Sequence, residues 1–148
     1  MDLWRLTEYP ALDGEGGRLA SARWHTAGSP VVYLAASPPG ALIEVLVHLE
    51  LEEDEVPPNY TLVRVSVPPR IKTQSLEVPA GDGWKSDLPT TRKIGDAWLR
   101  SRRSALARVP SAILPDTFNY LLNPLHADAA RITIAETHNA ALDKRLLR

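Results

Sequence analysis

The sequence predicts an α+β fold built from short mixed strands and a few helices. Its 148 residues suit one domain with a sizeable core, so residues 1–148 are predicted to form a single compact domain. Short runs with strand patterns are interspersed with stretches of helical periodicity. The 13 prolines punctuate the chain often, so each element is expected to be short.

Composition restricts the possible partners and compartments. Hydrophobic residues make up 44% and charged residues 24%, which is typical of a globular protein. A net charge of −1 creates no overall field that favours nucleic acid or an anionic membrane. The absence of cysteine excludes disulfides and thiolate metal sites. We therefore expect a cytoplasmic protein without a metal, without direct contact to nucleic acid and without a membrane anchor.

The most informative pattern is a buried strand followed by an apolar helix. Val31–Ala35 is a short apolar run that indicates a buried strand and carries one polar side chain, Tyr33. After a Pro-Pro-Gly sequence, Ala41–Leu49 has the periodicity of a helix that is apolar on nearly every side, and such helices are normally buried. Glu44 on that helix would need a partner if buried. The alternative is an exposed Glu44–His48 pair at i, i+4, which would stabilise the helix by roughly a few tenths of a kcal/mol.

The remaining elements follow from local patterns. The segment at residues 60–67 alternates and places its three valines on one face, as a half-buried strand does. Ile94, Ala97 and Trp98 are expected to face inward from a helix. Acidic residues at 50–55 should end the apolar helix, and the C-terminal tail should form a last strand or a short docked segment. The predicted strands are Trp4–Tyr9, Tyr60–Val67, Ala105–Val109 and Ile132–Ile134, the helices are Thr90–Arg103 and Asp116–Asn123, and the loops are Asp13–Gly17 and Thr73–Pro89.

Common catalytic and metal-binding motifs are missing from the sequence. It contains no HExxH, EF-hand, GxSxG or Walker sequence, and the glycines at 14–17 lack a strand–GxGxxG–helix context. Ser111 follows Pro110 at a strand end, where serine more often serves a turn or cap than acts as a nucleophile. No histidine pair has metal-ligand spacing. The four histidines are His25, His48, His126 and His138.

Several short stretches, taken together in order and spacing, identify a family. The chain resembles the RES domain, which is named for its Arg, Glu and Ser, from about Trp4 to the C-terminus. The chain departs from the family pattern in two places: Ser21-Ala22 replaces a frequent Gly-Gly, and His25 replaces a frequent Asn in the entrance loop. The stretches that carry the resemblance are Ala22–Trp24, Gly28 with Val31–Tyr33, Ala41–His48, Gly95–Leu99, Val109–Ser111, Asn119–His126 and Asp143–Leu146.

The resemblance implies the toxin of a bacterial toxin–antitoxin system with an ADP-ribosyltransferase-like fold, in which a split mixed β-sheet surrounds an NAD cleft. It implies cleavage of the nicotinamide–ribose bond by phosphorolysis or hydrolysis, with NAD as the substrate. Two alternatives are a protein ADP-ribosyltransferase with a dedicated target and a non-catalytic antitoxin-binding module. The implied partner is an Xre-like helix-turn-helix antitoxin that blocks the cleft, and a homodimer within that complex is a further expectation.

The family's site residues transfer to Arg23, Tyr33, Glu44 and Ser111, which we expect to be catalytic. Of these, Arg23, Tyr33 and Ser111 are also expected to bind NAD, together with Asn123. A fixed carboxylate suits the oxocarbenium-like ribose, and an arginine fork suits the pyrophosphate. Tyr33 can stack on nicotinamide. Asn123 and His126 could line the same cleft, or they could be a helix C-cap and a surface histidine. His25 is a weaker phosphate-side candidate.

Overall fold

The computed structural model describes residues 1–49 and 58–147, and these form seven strands and three helices. The predicted acidic helix end at residues 50–55 lies outside the described residues. Three short 3₁₀ helices, Gly83–Ser86, Ala129–Arg131 and Lys144–Leu147, complete the described chain. The strands are β1 (Asp2–Thr7), β2 (Val32–Ala35), β3 (Thr61–Ser66), β4 (Thr73–Ser75), β5 (Leu106–Pro110), β6 (Phe118–Leu122) and β7 (Thr133–Asn139), and the helices are α1 (Glu15–Leu19), α2 (Pro38–His48) and α3 (Leu88–Ser101).

All seven strands join one mixed sheet in the order β4-β5-β6-β2-β1-β3-β7. The pairing of β4 with β5 is parallel, and every other pairing is antiparallel. Strands β1 and β3 pair along their whole length, but β1 meets β2 only where Trp4 lies opposite Ala35. The sheet is thus split between its two halves, and the predicted α+β fold with a split mixed sheet is confirmed.

The core forms where predicted strand faces and helix stripes meet. The three valines of the 60–67 segment, Val63, Val65 and Val67, are buried as their alternation predicts. Trp98 is also buried, as expected, and it packs with Trp24 and Trp84 beneath α3. Ala97 is exposed, so its predicted inward orientation is wrong. The buried stripe of α3 consists of Thr91, Gly95, Trp98 and Leu99 at helical spacing, and Ala97 lies off that stripe.

Strand β6 forms where a helix was predicted over Asp116–Asn123. Phe118–Leu122 pairs with β2 on one side and with β5 on the other, so its backbone groups are satisfied by two neighbours. Asp116 adopts a φ of 53°, which makes it a turn residue rather than the start of a helix. Aromatic and leucine side chains fit a central strand well, and the pairing partners, which lie far away in sequence, decided the outcome.

Two predicted loops contain regular structure. The glycine-rich stretch at Asp13–Gly17 leads into α1, which begins at Glu15 after Gly14 in a left-handed conformation with φ 72°. The Thr73–Pro89 stretch contributes β4 and a 3₁₀ turn that buries Trp84. The intrinsic secondary-structure propensity of both stretches is low, so the sequence did not predict these elements. Tertiary packing and pairing with β5 stabilise them.

Helix α2 begins earlier and is less buried than its sequence predicts. It starts at Pro38, because the Ser37 hydroxyl accepts a hydrogen bond of 3.1 Å from the Gly40 N–H. Only Ala41 is buried, and Val47 is 55% exposed. The periodicity by itself is typical of a buried helix, but the structure buries this helix only in part. The helix instead lies along β1 and β2 and leaves part of its apolar surface open.

Candidate active site

A cavity of about 510 Å³ opens where the sheet is split. It extends from the end of β1 across β2 to α2. Three of the predicted site residues, Arg23, Tyr33 and Glu44, line it together. Ser111 and Asn123 are not among the described residues that line it, although Pro110 and Ala112 beside Ser111 are. The fold therefore gathers an arginine, a phenol and a carboxylate from a loop, a strand and a helix.

Glu44 is held from the opposite half of the cleft. Its Oε1 accepts a hydrogen bond of 2.8 Å from the side-chain amide of Asn119 on β6. Oε2 has no hydrogen-bond partner among the described residues. Glu44 is half-buried, and in the described part of the chain it forms no ion pair with His48, which is exposed. Of the two alternatives that the sequence left open, the structure favours a carboxylate held inside the cleft.

Asn119 is a site residue that the sequence reasoning missed. The stretch was interpreted as a helix, and in a helix Asn119 has no reason to face Glu44. The available signal was the alternation Phe118-Asn119-Tyr120-Leu121, in which one amide stands in an otherwise apolar strand pattern. As a strand, β6 places this amide at the cavity and directs its donor to the carboxylate.

Arg23 lies in the loop between α1 and β2 and is half-buried. Its Nη1 donates a hydrogen bond of 2.9 Å to the carbonyl oxygen of Lys85. Within residues 1–49 and 58–147 no carboxylate pairs with this guanidinium, so its remaining donors are free to bind an anion. A partly desolvated arginine without a carboxylate partner is typical of phosphate recognition.

Helix α3 anchors the loop that carries Arg23. The Thr91 hydroxyl donates a bond of 2.6 Å to the Arg23 carbonyl oxygen, and Arg92 Nε donates one of 2.8 Å to the carbonyl oxygen of Ala22. Both bonds join a helix residue to loop backbone nearly 70 positions earlier in the chain. Because buried carbonyls need donors, these contacts fix the path of the loop and not only one side chain.

The loop approaches α3 so closely that only glycine fits at position 95. A Cβ on Gly95 would overlap the carbonyl oxygen of Trp24. Next to it, the Asp96 carboxylate accepts bonds from the Thr26 N–H at 2.9 Å and from the Thr26 hydroxyl at 2.7 Å. The Gly95–Leu99 stretch that carried part of the family resemblance thus serves as the contact surface for the entrance loop.

Tyr33 presents a neutral phenol to the cavity. Its hydroxyl lies 3.1 Å from the Trp24 N–H and 2.8 Å from His25 Nδ1. Burial raises the pKa of the phenol well above its ordinary value, so the hydroxyl keeps its proton at physiological pH. His25 is itself 1% exposed and does not line the cavity, so its candidacy as a phosphate-side residue is wrong.

Ser111 and Asn123 satisfy backbone groups instead of facing the cavity. The Ser111 hydroxyl accepts from the backbone N–H groups of Ile113 and Leu114 at 3.1 and 3.4 Å, which caps a turn. Asn123 is 2% exposed, donates 3.2 Å to the carbonyl oxygen of Leu99 and accepts from the Leu125 N–H. Their predicted contacts with NAD lack support from this geometry and stay predictions.

The His126 imidazole belongs to a local turn and is not among the described residues that line the cavity. His126 Nδ1 accepts a bond of 3.0 Å from the Asp128 N–H, so this imidazole stabilises a local turn. Throughout the described ranges, no group of three or more His, Cys, Asp or Glu side chains could hold a metal ion. The helices in these ranges also include none with the length and apolar character needed to cross a bilayer.

Fold and site define an α+β domain in which arginine, tyrosine and glutamate converge in the split of a mixed sheet. The RES domain family model matches residues 2–143, and the chain belongs to this family. The resemblance noted in the sequence is thereby confirmed.

Two curated relatives are toxins. The chain is 45% identical over 139 residues to "Toxin Res" of Pseudomonas putida, with 92% of this chain and 94% of the relative covered. It is 33% identical over 150 residues to "Prs ADP-ribosylating toxin" of Sphingobium sp., with 97% and 91% covered. The chain is therefore placed among the RES-domain toxins.

A solved structure is similar across nearly the whole fold. It is the M. tuberculosis MbcT–MbcA toxin–antitoxin complex, in which a chain superposes with a TM-score of 0.73 at 19% identity. The superposition covers 99% of this chain and 86% of the other. At this identity the likeness establishes the shared fold.

Replacing Gly95 by alanine should disrupt the site through the entrance loop. The added Cβ overlaps the Trp24 carbonyl, so loop or helix must move, and we expect a loss of about 1–3 kcal/mol in the free energy of unfolding. Ala97→Ser on the same helix also adds one heavy atom, but at an exposed position, and should change stability by less than about 0.5 kcal/mol. Urea denaturation of both variants checks this, and equal stability of the two would contradict the close approach.

Proposed function

We propose that this protein is the toxin of a toxin–antitoxin pair and consumes NAD by breaking the nicotinamide–ribose bond, with phosphate or water as the acceptor. The observation that carries the proposal is the convergence of Arg23, Tyr33 and Glu44 on one cavity. Its volume of about 510 Å³ lies within the range of small-molecule sites. The names of the related toxins support the assignment.

The first chemical step separates nicotinamide from ribose. The bond between the ribose C1′ and the nicotinamide nitrogen breaks, and its electron pair goes to the nitrogen, which becomes neutral. Positive charge develops on the ribose, and the Glu44 carboxylate stabilises it electrostatically. Asn119 keeps this carboxylate oriented through its bond to Oε1. An oxygen of phosphate or water then bonds to C1′ and releases its proton to solvent.

Arg23 and Tyr33 bind the two ends of the reacting half of the substrate. The unpaired guanidinium donors of Arg23 suit the pyrophosphate oxygens, and the neutral ring of Tyr33 offers a face for the nicotinamide. Ser111 acts indirectly in this scheme, because it caps the turn from which Ala112 and Ile113 line the cavity. The scheme needs NAD and an acceptor, phosphate or water, and NAD is a substrate rather than a resident cofactor. A cytoplasmic location fits that requirement.

The second candidate function is transfer of ADP-ribose to a protein. One relative carries the name ADP-ribosylating toxin, and the first bond cleavage is the same for either acceptor. The acceptor decides between the two, and it is not encoded in the three residues that line the cavity. A non-catalytic antitoxin-binding module is disfavoured, because such a protein would have no use for an arginine and a carboxylate held in one cavity.

The proposed partner is an Xre-like helix-turn-helix antitoxin that covers the cleft. The structural neighbour is a toxin–antitoxin complex, and here α2 leaves apolar surface open beside the cavity. Val47 on this helix is both exposed and part of the cavity wall. A covering partner would bury that surface and exclude substrate together, and a homodimer within the complex would use the rest of the toxin surface.

Glu44→Gln should abolish NAD consumption without unfolding the protein. The amide oxygen can still accept from Asn119, but the charge that stabilises the ribose cation is gone, so we expect a loss in kcat of about 100-fold or more. NAD is incubated with and without phosphate, and products are separated by chromatography. ADP-ribose phosphate that forms only with added phosphate identifies phosphate as the acceptor, free ADP-ribose identifies water, and labelled protein identifies a protein. Exposed Glu136→Gln is the matched control, and full activity of Glu44→Gln would overturn the assignment.

Arg23→Ala should weaken NAD binding more than folding. The loss of a charge-assisted hydrogen-bond fork should raise Kd about 10- to 100-fold, which corresponds to about 1.5–3 kcal/mol. Titration calorimetry in the Glu44→Gln background measures this without turnover. Arg100→Ala, at an exposed position of α3, serves as the control. A large fall in Tm with unchanged affinity would make Arg23 a structural residue instead.

Co-expression tests the proposed partner. The gene is expressed with an adjacent reading frame that encodes a helix-turn-helix protein, followed by size-exclusion chromatography and an NAD assay. We expect a stable complex without NAD turnover that binds operator DNA only through the partner. Val47→Glu should weaken the complex, whereas Leu19→Glu, 84% exposed at the end of α1, should not. A free monomer that the host tolerates without any partner would contradict the proposal.

A further inference from the structure

We propose that His25 is a positioning residue for Tyr33, because its Nδ1 accepts the phenol proton and so sets the direction in which the hydroxyl points. In the sequence, His25 is a departure from the family pattern and a weaker phosphate-side candidate, and neither interpretation predicts a contact with Tyr33. The inference deepens the proposed NAD cleavage and rests on it for its kinetic test. Its spectroscopic test is independent of any substrate.

The two hydrogen bonds of the imidazole define its tautomer. His25 Nε2 lies 2.9 Å from the carbonyl oxygen of Gly17, and Nδ1 lies 2.8 Å from the Tyr33 hydroxyl. A carbonyl oxygen can only accept, so Nε2 must carry hydrogen. In the neutral ring Nδ1 is then bare and must accept. The hydroxyl hydrogen of Tyr33 therefore points to His25 and not into the cavity.

The other contact of the phenol agrees with this direction. The Trp24 N–H can only donate, and it lies 3.1 Å from the same hydroxyl oxygen. Tyr33 thus accepts from Trp24 and donates to His25, which donates onward to Gly17. The chain of bonds runs in one direction, and each donor has an acceptor. Because the hydroxyl donates to His25, Tyr33 has no hydrogen-bond donor left to offer to the cavity that it lines.

The end of this chain is rigidly placed. Gly17 packs so tightly that a Cβ would lie 2.8 Å from Val31 Cγ1 and 2.9 Å from the carbonyl oxygen of Ser29. These residues lead directly into β2, which carries Tyr33. His25 therefore links the carbonyl of Gly17, which packs against the start of β2, to the Tyr33 hydroxyl on β2. It is too buried to contact substrate. Its effect on the reaction must act through Tyr33.

Two substitutions of His25 each remove one of its two hydrogen bonds and keep the other. Asparagine places an amide oxygen near the position of Nδ1, which keeps an acceptor for Tyr33 and loses the bond to Gly17. Glutamine places its amide nitrogen near Nε2, which keeps the donor to Gly17 and loses the acceptor for Tyr33. A purely structural histidine would lose stability and activity together in both variants, so the pair separates positioning from folding.

Steady-state NAD turnover and thermal denaturation of both variants form the kinetic test. We expect His25→Asn to keep kcat within about twofold while its Tm falls. His25→Gln should lose kcat on the order of tenfold, with a fall in Tm similar to that of His25→Asn, because each variant lacks one hydrogen bond of the imidazole. In a Tyr33→Phe background, His25→Gln should have no further effect on kcat. Losses of kcat that follow Tm in both variants, or that add to Tyr33→Phe, would overturn the proposal.

Long-range ¹H–¹⁵N spectra of histidine-labelled protein form the second test, without NAD. When the ring is neutral, the His25 signals, assigned by their loss in His25→Asn, should show a protonated Nε2 and a bare Nδ1. The Nδ1 resonance should shift in Tyr33→Phe. A protonated Nδ1 would overturn the proposal even if NAD is turned over. If the spectra show the expected tautomer but the protein does not consume NAD, the hydrogen-bond arrangement stands and the proposed function is wrong.

Discussion

The close approach of α3 to the loop at residues 22–26 is the contact on which the rest of the site depends. Because Gly95 has no side chain, the Trp24 carbonyl can lie against the helix, and Thr91 can then reach the Arg23 carbonyl. The same loop carries the guanidinium of Arg23 and the imidazole of His25. One backbone contact therefore helps to determine where the Arg23 guanidinium lies and where the His25 imidazole meets the Tyr33 hydroxyl.

The second constraint is the split in the sheet. Complete pairing of β1 with β2 would close the space in which the cavity lies, and the single pair of Trp4 with Ala35 keeps the two halves joined at one end. Glu44 and Asn119 approach this space from α2 and β6 and meet in a hydrogen bond. The Glu44 carboxylate on α2 is thus oriented by a residue of a different element, β6. This hydrogen bond reduces the conformational freedom of the side chain before substrate binds.

Among the three predicted site residues in the cleft, only Tyr33 is neutral. Burial raises the pKa of its phenol further, so Arg23 and Glu44 supply the full charges of this trio, and Arg5 and Glu8 also line the cavity. A positive group suits a pyrophosphate and a negative group suits a ribose cation, and in the proposed reaction NAD presents both. Part of the apolar surface of α2 is exposed beside these charges, and the proposed antitoxin would bury this surface at the mouth of the cleft.

The sequence by itself determined the elements whose pattern is local. The valine alternation of β3, the Tyr33 strand and the two longer helices were predicted because side-chain periodicity along one segment suffices to define them. Three of the site residues, Arg23, Tyr33 and Glu44, came from the family resemblance, and the structure brings these three to one cavity. Local pattern alone could not have joined them, since they lie on different elements.

Only the tertiary structure decided the features that depend on distant partners. The Phe118–Leu122 segment became a strand because β2 and β5 pair with it, and that change brought Asn119 to Glu44. Arg23 likewise reaches the carbonyl oxygen of Lys85, and Thr91 reaches the carbonyl oxygen of Arg23, across more than 60 positions of the chain. A hydrogen bond between residues dozens of positions apart leaves no period in the sequence, so packing alone determines where such side chains point.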